Sequence, residues 1–388
     1  MFDKKHTRAY DKINRFKESR RLCMSDNLFQ ALNPPPHAAE PPVSDKPYPF
    51  LDDTSPALCE AVKILQKSKT GRELLDCAAA YGTKISTECL NASYGSFNDE
   101  TKQIFIAAGS NKNRMVITLA HELRHSQQFQ NGVLLSAYAD RPKDYLQSQG
   151  VIEADANVMA CQVGWELQQQ GINEPMEEFK KEDRDVVSAF LNAAEKGGVE
   201  NGTAHGEAFY AWFNDMGLRE AYEKNYIRNY ERHKRKATRE EEKTALQRVV
   251  PVADNIEKVC KFNGKTYLDA KEAREFFKKP EQNSVTHETY WAIYRNTRDA
   301  LNLGFSKPAE EVIEMAGGLT EREATDWYCE LPANLAKKQR LARRQKEASD
   351  KISHLRSLKS LDSIRTNGPK TPDLTTVALV RKKRLLQK

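Results

Sequence analysis

Residues 110–132 have the sequence SNKNRMVITLAHELRHSQQFQNG. Apolar side chains recur in it at helical spacing, which predicts one long helix with an apolar face. The positions that form this face are Met115, Val116, Leu119, Ala120 and Leu123. Asn131-Gly132 is a typical helix end, because glycine readily takes the left-handed conformation that closes a helix. The string HELRH is therefore expected inside a helix and not in a loop.

HELRH, residues 121–125, matches the pattern H-E-x-x-H. Residues four apart lie on one helix face, so His121 and His125 can bind the same ion. Zinc suits this arrangement, because two imidazoles and one carboxylate leave a fourth position for water. Zinc lowers the pKa of that water towards about 7, and Glu122 is placed to take its proton during attack on a carbonyl. The alternative is an exposed helix face with ordinary His and Glu residues.

A third metal ligand has to come from elsewhere in the chain. The metzincin extension requires glycine at 128 and histidine at 131, but these are Gln128 and Asn131, so that class is excluded. Glu153, in GVIEADANVMACQ, is the preferred ligand, because the intervening loop lets a second helix return to the first. Asp155 is either a rival ligand or a group that orients a ligand imidazole. Acidic residues at a helix N-terminus are the structural alternative.

Other side chains are candidates for supporting roles. His205, in NGTAHGEAFYAWF, is a candidate to stabilise the oxyanion, and Tyr210 and Tyr222 are candidates for the same hydrogen bond. Arg124 is expected to pair with Asp155 or with a substrate carboxylate. The structural alternatives are a loop histidine, two ordinary aromatic residues and a structural salt bridge.

HELRHSQQ followed by EADA resembles an uncharacterised bacterial family of zinc metallopeptidases. AFYAWFND at residues 208–215, followed by Arg219 and Tyr222, is similar to a further feature of that family. The resemblance covers about residues 55–230 and leaves out the Pro-rich front, the segment after about residue 239 and the tail.

That resemblance implies a compact, gluzincin-like α+β domain of the zincin type. It implies that His121, His125 and Glu153 bind zinc and that Glu122 is the base. It does not supply the substrate.

The predicted fold class is α+β, mainly helical with a small β-hairpin or sheet, and flanked by disordered or extended segments. The predicted helices cover residues 55–81, 110–132, 152–170, 177–196 and most of 206–239. Two strands, 85–94 and 103–107, are expected to be joined by the Asn98-Asp99 turn and to border the substrate cleft. Further along, Asn263-Gly264 predicts a second hairpin and Thr320 is predicted to cap a helix.

Five regions are predicted along the chain. They are a charged helical segment (1–33), a Pro-rich linker (34–50), a metallopeptidase domain (51–235), a mostly helical accessory region (236–333) and a basic, disordered tail (334–388). Seven of the sixteen prolines lie within residues 34–49, which favours an extended spacer. The accessory region contains no phosphate-binding or metal-binding motif.

Charge is distributed unevenly over the 388 residues. The net charge is +6, yet the tail alone has sixteen Lys and Arg residues against four Asp and Glu residues, so the rest is mildly acidic. The tail is expected either to bind an anionic partner, such as nucleic acid or a membrane surface, or to remain a solvated segment.

The sequence also suggests where the protein acts. No apolar run is long enough for a transmembrane helix, and the first residues lack the apolar core of a signal peptide. Seven cysteines without a CxxC pair favour reduced thiols. A cytoplasmic location is predicted, with a translocated effector as the alternative.

The prediction for function is zinc-dependent hydrolysis of peptide or protein substrates. The alternatives are a catalytically silent, metallopeptidase-like binding or regulatory protein, and an effector whose basic tail binds nucleic acid, a membrane or a partner.

Overall fold

The computed structural model describes residue 51 and residues 55–90, 93–304 and 307–322. The predicted N-terminal segment, Pro-rich linker and basic tail lie outside the described residues, as does the end of the accessory region. Within the described part the fold is α+β and mainly helical, as predicted.

The helices of the described residues are α1 (Pro56–Leu65), α2 (Lys69–Tyr81), α3 (Lys112–Gln130), α4 (Pro142–Gln168), α5 (Glu174–Glu182), α6 (Arg184–Ala194), α7 (Thr203–Asn214), α8 (Met216–Lys234), α9 (Arg239–Thr244), α10 (Val252–Val259), α11 (Ala270–Lys278), α12 (His287–Ala300) and α13 (Ala309–Met315). The strands are β1 (Lys84–Glu88), β2 (Gly95–Asn98), β3 (Gln103–Ala107), β4 (Lys261–Phe262), β5 (Lys265–Thr266), β6 (Ser284–Val285) and β7 (Thr320–Glu321), and a short 3₁₀ helix covers Pro280–Asn283.

The main sheet has the strand order β1-β3-β2. β1 pairs with β3 in parallel, with Ile85 opposite Ile104, and β2 pairs with β3 antiparallel, with Phe97 opposite Ile104. The prediction of one strand over residues 85–94 is therefore wrong, because the chain leaves one edge of β3 after Glu88 and returns on the other edge at Gly95. β2 is left at the edge of the sheet.

Three predicted helices are each divided in two, and polar side chains mark two of the breaks. Ser68 Oγ accepts a hydrogen bond of 2.9 Å from the Gly71 N–H and so starts α2. Asp215 Oδ1 accepts from the Gly217 and Leu218 N–H groups, at 2.9 and 3.2 Å, and starts α8. Such side chains compete with the helix for backbone donors, so apolar periodicity alone misses the break. The third break lies at Asp183, between α5 and α6.

α4 is longer than predicted and runs through the centre of the fold. It has 27 residues and begins at Pro142, ten residues before the predicted start, with the proline in the first turn, where its missing N–H costs nothing. Gly150 lies inside it because Phe213 packs there: a Cβ at Gly150 would lie 2.8 Å from the Phe213 ring. Close approach to the aromatic ring explains this glycine.

α3 and α4 pack against each other inside the larger of two apolar cores. Met115, Leu119 and Leu123 of α3 are fully buried, and α1, α2, α5 and β2 cover the other sides of this helix. The smaller core joins the first turn of α4 to α8, α12 and α13 through Tyr145, Tyr226 and neighbouring side chains. Among the described residues no helix has the length and apolarity to cross a lipid bilayer.

Two predictions for the region after residue 239 have different outcomes. The Asn263-Gly264 hairpin is confirmed: β4 and β5 pair antiparallel, and both turn residues have positive φ, 49° and 75°. The helix cap at Thr320 is wrong, because Thr320 belongs to β7, which pairs with β6 in parallel. The remainder of that predicted helix lies outside the described residues.

Candidate metal centre

The HELRH string lies in the middle of α3, as predicted. Asn111 Oδ1 accepts a 2.9 Å hydrogen bond from the Arg114 N–H at the start of this helix, and Gly132, with φ of 80°, follows its end. His121 and His125 are one turn apart, and their Nε2 atoms lie 2.9 Å from each other. The two imidazoles therefore converge on one point beside the helix.

Glu153 of α4 completes this group. Its Oε2 lies 3.3 Å from His121 Nε2 and 3.4 Å from His125 Nε2. Glu153 is 7% exposed and His125 is 8% exposed, so the arrangement is not an exposed helix face. The three side chains that the sequence selects as ligands thus lie together in a geometry that could hold a metal ion.

Hydrogen bonds determine which nitrogen of His125 carries a proton. Gln128 Nε2 donates to Ile152 O at 2.9 Å and to Asp155 Oδ2 at 2.6 Å, and both of these atoms can only accept. Gln128 Oε1 therefore faces His125 Nδ1, 2.9 Å away, and must accept its proton. The Nε2 of His125 is left with a free lone pair towards Glu153.

His121 is oriented in the same sense. Its Nδ1 lies 3.2 Å from Asn157 Oδ1, which accepts the proton on that nitrogen. Two imidazole lone pairs and one carboxylate oxygen then face each other, and none of the three atoms carries a donor. Such a set needs a positive charge between its members, which either a proton on an imidazole or a metal ion supplies.

The pKa values of His125 and Glu153 are both shifted in the direction that favours positive charge beside Glu153. Burial would lower the pKa of His125, but the Glu153 carboxylate and then Glu122 raise it to about 9. Burial would raise the pKa of Glu153, but the histidines hold it well below its usual range. Tyr222 Oη donates to Glu153 Oε2 at 2.7 Å and Gln149 Nε2 to its Oε1 at 2.8 Å, so the carboxylate is held in place from both sides.

The distances between the three candidate ligand atoms indicate which metal ion they could hold. A tetrahedral zinc site with N and O ligands at about 2.0–2.2 Å places its ligand atoms roughly 3.3–3.5 Å apart. The two distances from Glu153, 3.3 and 3.4 Å, lie in this range, and the 2.9 Å between the imidazoles is shorter. Calcium, which takes six to eight oxygen ligands, does not fit two imidazoles.

Glu122 lies between the ligand group and β2. It is 6% exposed, burial raises its pKa, and the backbone N–H of Phe97 hydrogen-bonds its carboxylate. Gly95 allows this contact: a Cβ there would lie 2.9 Å from Glu122 Oε1 and 2.5 Å from Thr118 Cγ2. The edge strand of the sheet therefore borders the side chain that the sequence selects as the base.

Asp155 lies on a different side of α4 and is fully buried. Arg124 donates to both of its oxygens, at 2.7 and 3.1 Å, and Tyr267 Oη donates at 2.8 Å. Arg124 also donates to the backbone carbonyls of Val259 and Lys261. Asp155 is linked to His125 through Gln128. Val259 and Lys261, which contact Arg124, and Tyr267, which contacts Asp155, lie beyond the predicted end of the metallopeptidase domain.

His205 and Tyr210 lie away from the ligand group. The His205 ring is fully buried against Phe262, with ring centres 4.2 Å apart, and neither nitrogen has a partner among the described residues. Burial and then the charge of Arg124 lower the pKa of His205 to about 4. The Tyr210 hydroxyl is also buried without a partner in the described part of the chain. Of the predicted stabilisers, only Tyr222 contacts a candidate ligand.

Several residues of the site were not predicted. Gln128 is three residues after His125, and Gln149 and Asn157 are each four residues from Glu153, so helical spacing alone could have indicated them. Gly95 and Tyr267 approach from distant parts of the chain, and no local pattern marks them.

The three side chains could hold a metal ion, and comparison with known proteins gives the family. The chain belongs to the family described as "Putative metallopeptidase family (DUF6782)", whose model matches residues 36–268, more than half of the chain. The match includes residues 36–50 and 239–268, which the sequence resemblance left out. Neither the curated proteins nor the solved structures gave a match. Membership supports, at the level of that description, a metal-dependent peptidase that acts on peptides or proteins.

Proposed function

We propose that the protein is a zinc-dependent peptidase of the gluzincin type, with His121, His125 and Glu153 as zinc ligands. One observation carries the proposal: the Nε2 atoms of both histidines and Oε2 of Glu153 converge within 3.4 Å of one another with the imidazole protons turned away. Family membership supports the metal-dependent part of this assignment.

Bound zinc supplies acidity to a water molecule and polarises the carbonyl of the substrate. Glu122 takes a proton from the attacking water on its carboxylate and returns it to the leaving amine. The Phe97 N–H and the close packing of Gly95 hold this carboxylate towards the ligand group. Gln128 and Asn157 keep the Nδ1 protons of the ligand histidines in place, which leaves both Nε2 atoms free to bind.

β2 is suited to hold an extended peptide beside Glu122. It is one of the two edge strands of the sheet and, among the described residues, pairs with β3 alone, so the outer backbone groups that Glu122 does not engage are available for an added strand. A cytoplasmic location and the binding of an anionic partner by residues 334–388 remain predictions from the sequence.

Metal content and hydrolysis test the proposal. Untagged protein is expected to contain about one zinc per chain by mass spectrometry, and Glu153→Ala is expected to lose it. Glu122→Gln is expected to retain zinc and to lose peptide hydrolysis by about 10²–10⁴-fold. Glu174→Ala, at an exposed position outside the group, is the matched control for both measurements.

Two outcomes would contradict the proposal. Hydrolysis that survives in Glu122→Gln would exclude Glu122 as the base. Wild-type protein that binds no zinc after reconstitution would favour the silent binding protein instead.

A further inference from the structure

A small cavity of about 40 Å³ lies next to the candidate metal centre. Its wall includes Gly150, Trp212, Arg219 and Tyr222. Tyr222 is the residue whose hydroxyl donates to Glu153 Oε2, so one side chain contacts both the cavity and a proposed zinc ligand. The cavity and the candidate metal centre are therefore separated by this one side chain.

Arg219 brings a positive charge to the cavity without a carboxylate partner. Its Nη1 donates to the carbonyl of Glu281 at 2.7 Å and its Nη2 to the carbonyl of Ser284 at 3.1 Å. Within residues 55–322, as far as the structure describes them, no carboxylate forms an ion pair with it. Arg322 donates to the same Ser284 carbonyl at 2.9 Å, so two guanidinium groups meet at one acceptor.

The charges around the cavity do not balance. Glu223 is the carboxylate in its wall, and this side chain already accepts from Arg322 Nη2 at 2.7 Å and from the Thr286 N–H at 2.9 Å. Lys143 lines the cavity as well, and the exposed carboxylate of Glu281, outside the wall, partly offsets the charge of Arg219. The wall thus has two cationic side chains, Arg219 and Lys143, and one carboxylate, Glu223, which is already paired with Arg322.

Two further observations point to a missing anion. Arg322 Nε is buried and has no partner among the described residues. Burial and then the charge of Arg322 lower the pKa of Arg219 to about 10, so the guanidinium is still charged at neutral pH. Like charges in a partly buried site are costly unless an anion lies between them.

We infer that this cavity binds a carboxylate of the substrate, so that the enzyme selects peptides with a carboxylate beside the scissile bond. The inference rests on the proposed peptidase function, because that function is the reason to identify the bound carboxylate as part of a substrate. The planar guanidinium of Arg219 matches a carboxylate, with which it can form two parallel hydrogen bonds. The small volume fits a group of a few atoms, and the aromatic wall formed by Trp212 covers the attached methylenes.

An Asp or Glu side chain and a C-terminal carboxylate share this chemistry, and matched peptides distinguish them. Blocked, fluorescently labelled peptides that carry Glu or Gln at one position form the first pair. Peptides that end in a free acid or an amide form the second pair. Binding is measured by anisotropy to full-length, zinc-containing Glu122→Gln protein, in which hydrolysis does not interfere.

The carboxylate member of one pair is expected to bind about tenfold tighter or more, because a desolvated charge pair contributes at least this much. In Arg219→Gln the affinities for the two members of the pair should lie within about twofold of each other. Arg219→Lys keeps the charge but cannot form two parallel hydrogen bonds, so its preference should lie between that of the protein that keeps Arg219 and that of Arg219→Gln. Arg228→Gln, at an exposed position on the same helix, is the matched control and should keep the preference. A thermal melt of each variant checks that it is folded.

The possible failures are separable. No preference in either pair, or a preference that survives in folded Arg219→Gln, overturns the inference and leaves the peptidase proposal intact. An Arg219-dependent preference in a protein whose wild type hydrolyses no peptide would overturn the peptidase proposal and leave a carboxylate-binding site.

Discussion

Two groups of polar side chains lie between helices α3 and α4, and they differ in how their charges are balanced. In one, Arg124 of α3 faces Asp155 of α4, and positive and negative charge balance inside the protein. In the other, His121 and His125 of α3 face Glu153 of α4, and three atoms that can each bind a cation converge. The comparison separates a structural pair from a candidate binding site: the Arg–Asp pair contains a permanent cation, whereas the His–His–Glu group can exchange its proton for a metal ion.

Gln128 joins the two groups. It donates to Asp155 and accepts from His125, so the balanced pair determines the orientation of a side chain in the unbalanced group. The ion pair is thereby part of the scaffold of the site, although neither of its members contacts the ligand atoms.

The largest expected effect comes from removing each carboxylate in turn after chelation of metal. Asp155→Ala should lower the free energy of unfolding by about 3–5 kcal/mol, because it leaves the Arg124 charge buried and unpaired. Glu153→Ala should cost less, about 1–3 kcal/mol, because the donors Tyr222 and Gln149 are neutral and because His125, unlike Arg124, can lose its proton when its partner is removed. Urea unfolding measures both, and equal losses would show that the two groups do not differ in this way.

A third buried histidine extends the comparison to acid stability. His205 has a pKa of about 4 in the folded protein and about 6.5 when unfolded, so the unfolded chain binds the proton first as pH falls. Its contribution is present above pH 6.5 and is lost between pH 6.5 and 4, by up to about 3 kcal/mol.

Urea unfolding at pH 7.5 and 4.5 measures this acid sensitivity. His205→Leu should lose less stability between the two pH values than the wild type. His233→Leu, at an exposed position, should behave like the wild type. An unchanged pH dependence in His205→Leu would mean that this ring is not the proton acceptor.

The smallest expected effect concerns the link between the two groups. Gln128→Leu should weaken zinc binding by about 10–100-fold, because His125 loses the acceptor that fixes its Nδ1 proton. Competition with a chromophoric chelator measures the affinity. Gln127→Leu, next along the helix and in contact with Arg124 instead of a ligand, should bind zinc like the wild type. Equal affinities for all three proteins would show that the link has no effect on the metal.

The sequence predicts what local spacing determines. Local patterns predict the fold class, the helix that contains HELRH and the end of that helix at Asn131-Gly132. Spacing on two helices predicts that His121, His125 and Glu153 lie together. The β4–β5 hairpin follows from a two-residue turn whose conformation few residues besides Asn and Gly adopt.

The remainder depends on contacts between distant segments. The end of the first strand at Glu88 and the start of β2 at Gly95 depend on which edge of β3 each strand joins. The role of Asp155 depends on Arg124, and its third partner Tyr267 is 112 residues away in the sequence. The sequence does not show that Arg219 lies beside Arg322 and Glu223, or that no carboxylate among the described residues forms an ion pair with it.

The anchoring of the β4–β5 hairpin has a practical consequence for dissecting this protein. A fragment that stops at residue 235 would lack the Val259 and Lys261 carbonyls that Arg124 binds and the Tyr267 hydroxyl that Asp155 accepts from. It would also uncover the ring of His205, which Phe262 covers. A fragment that folds is therefore expected to extend beyond Leu268 and to include α11, whose Phe276 and Phe277 pack against Phe213. Limited proteolysis should show the hairpin resisting cleavage together with the helices that it contacts.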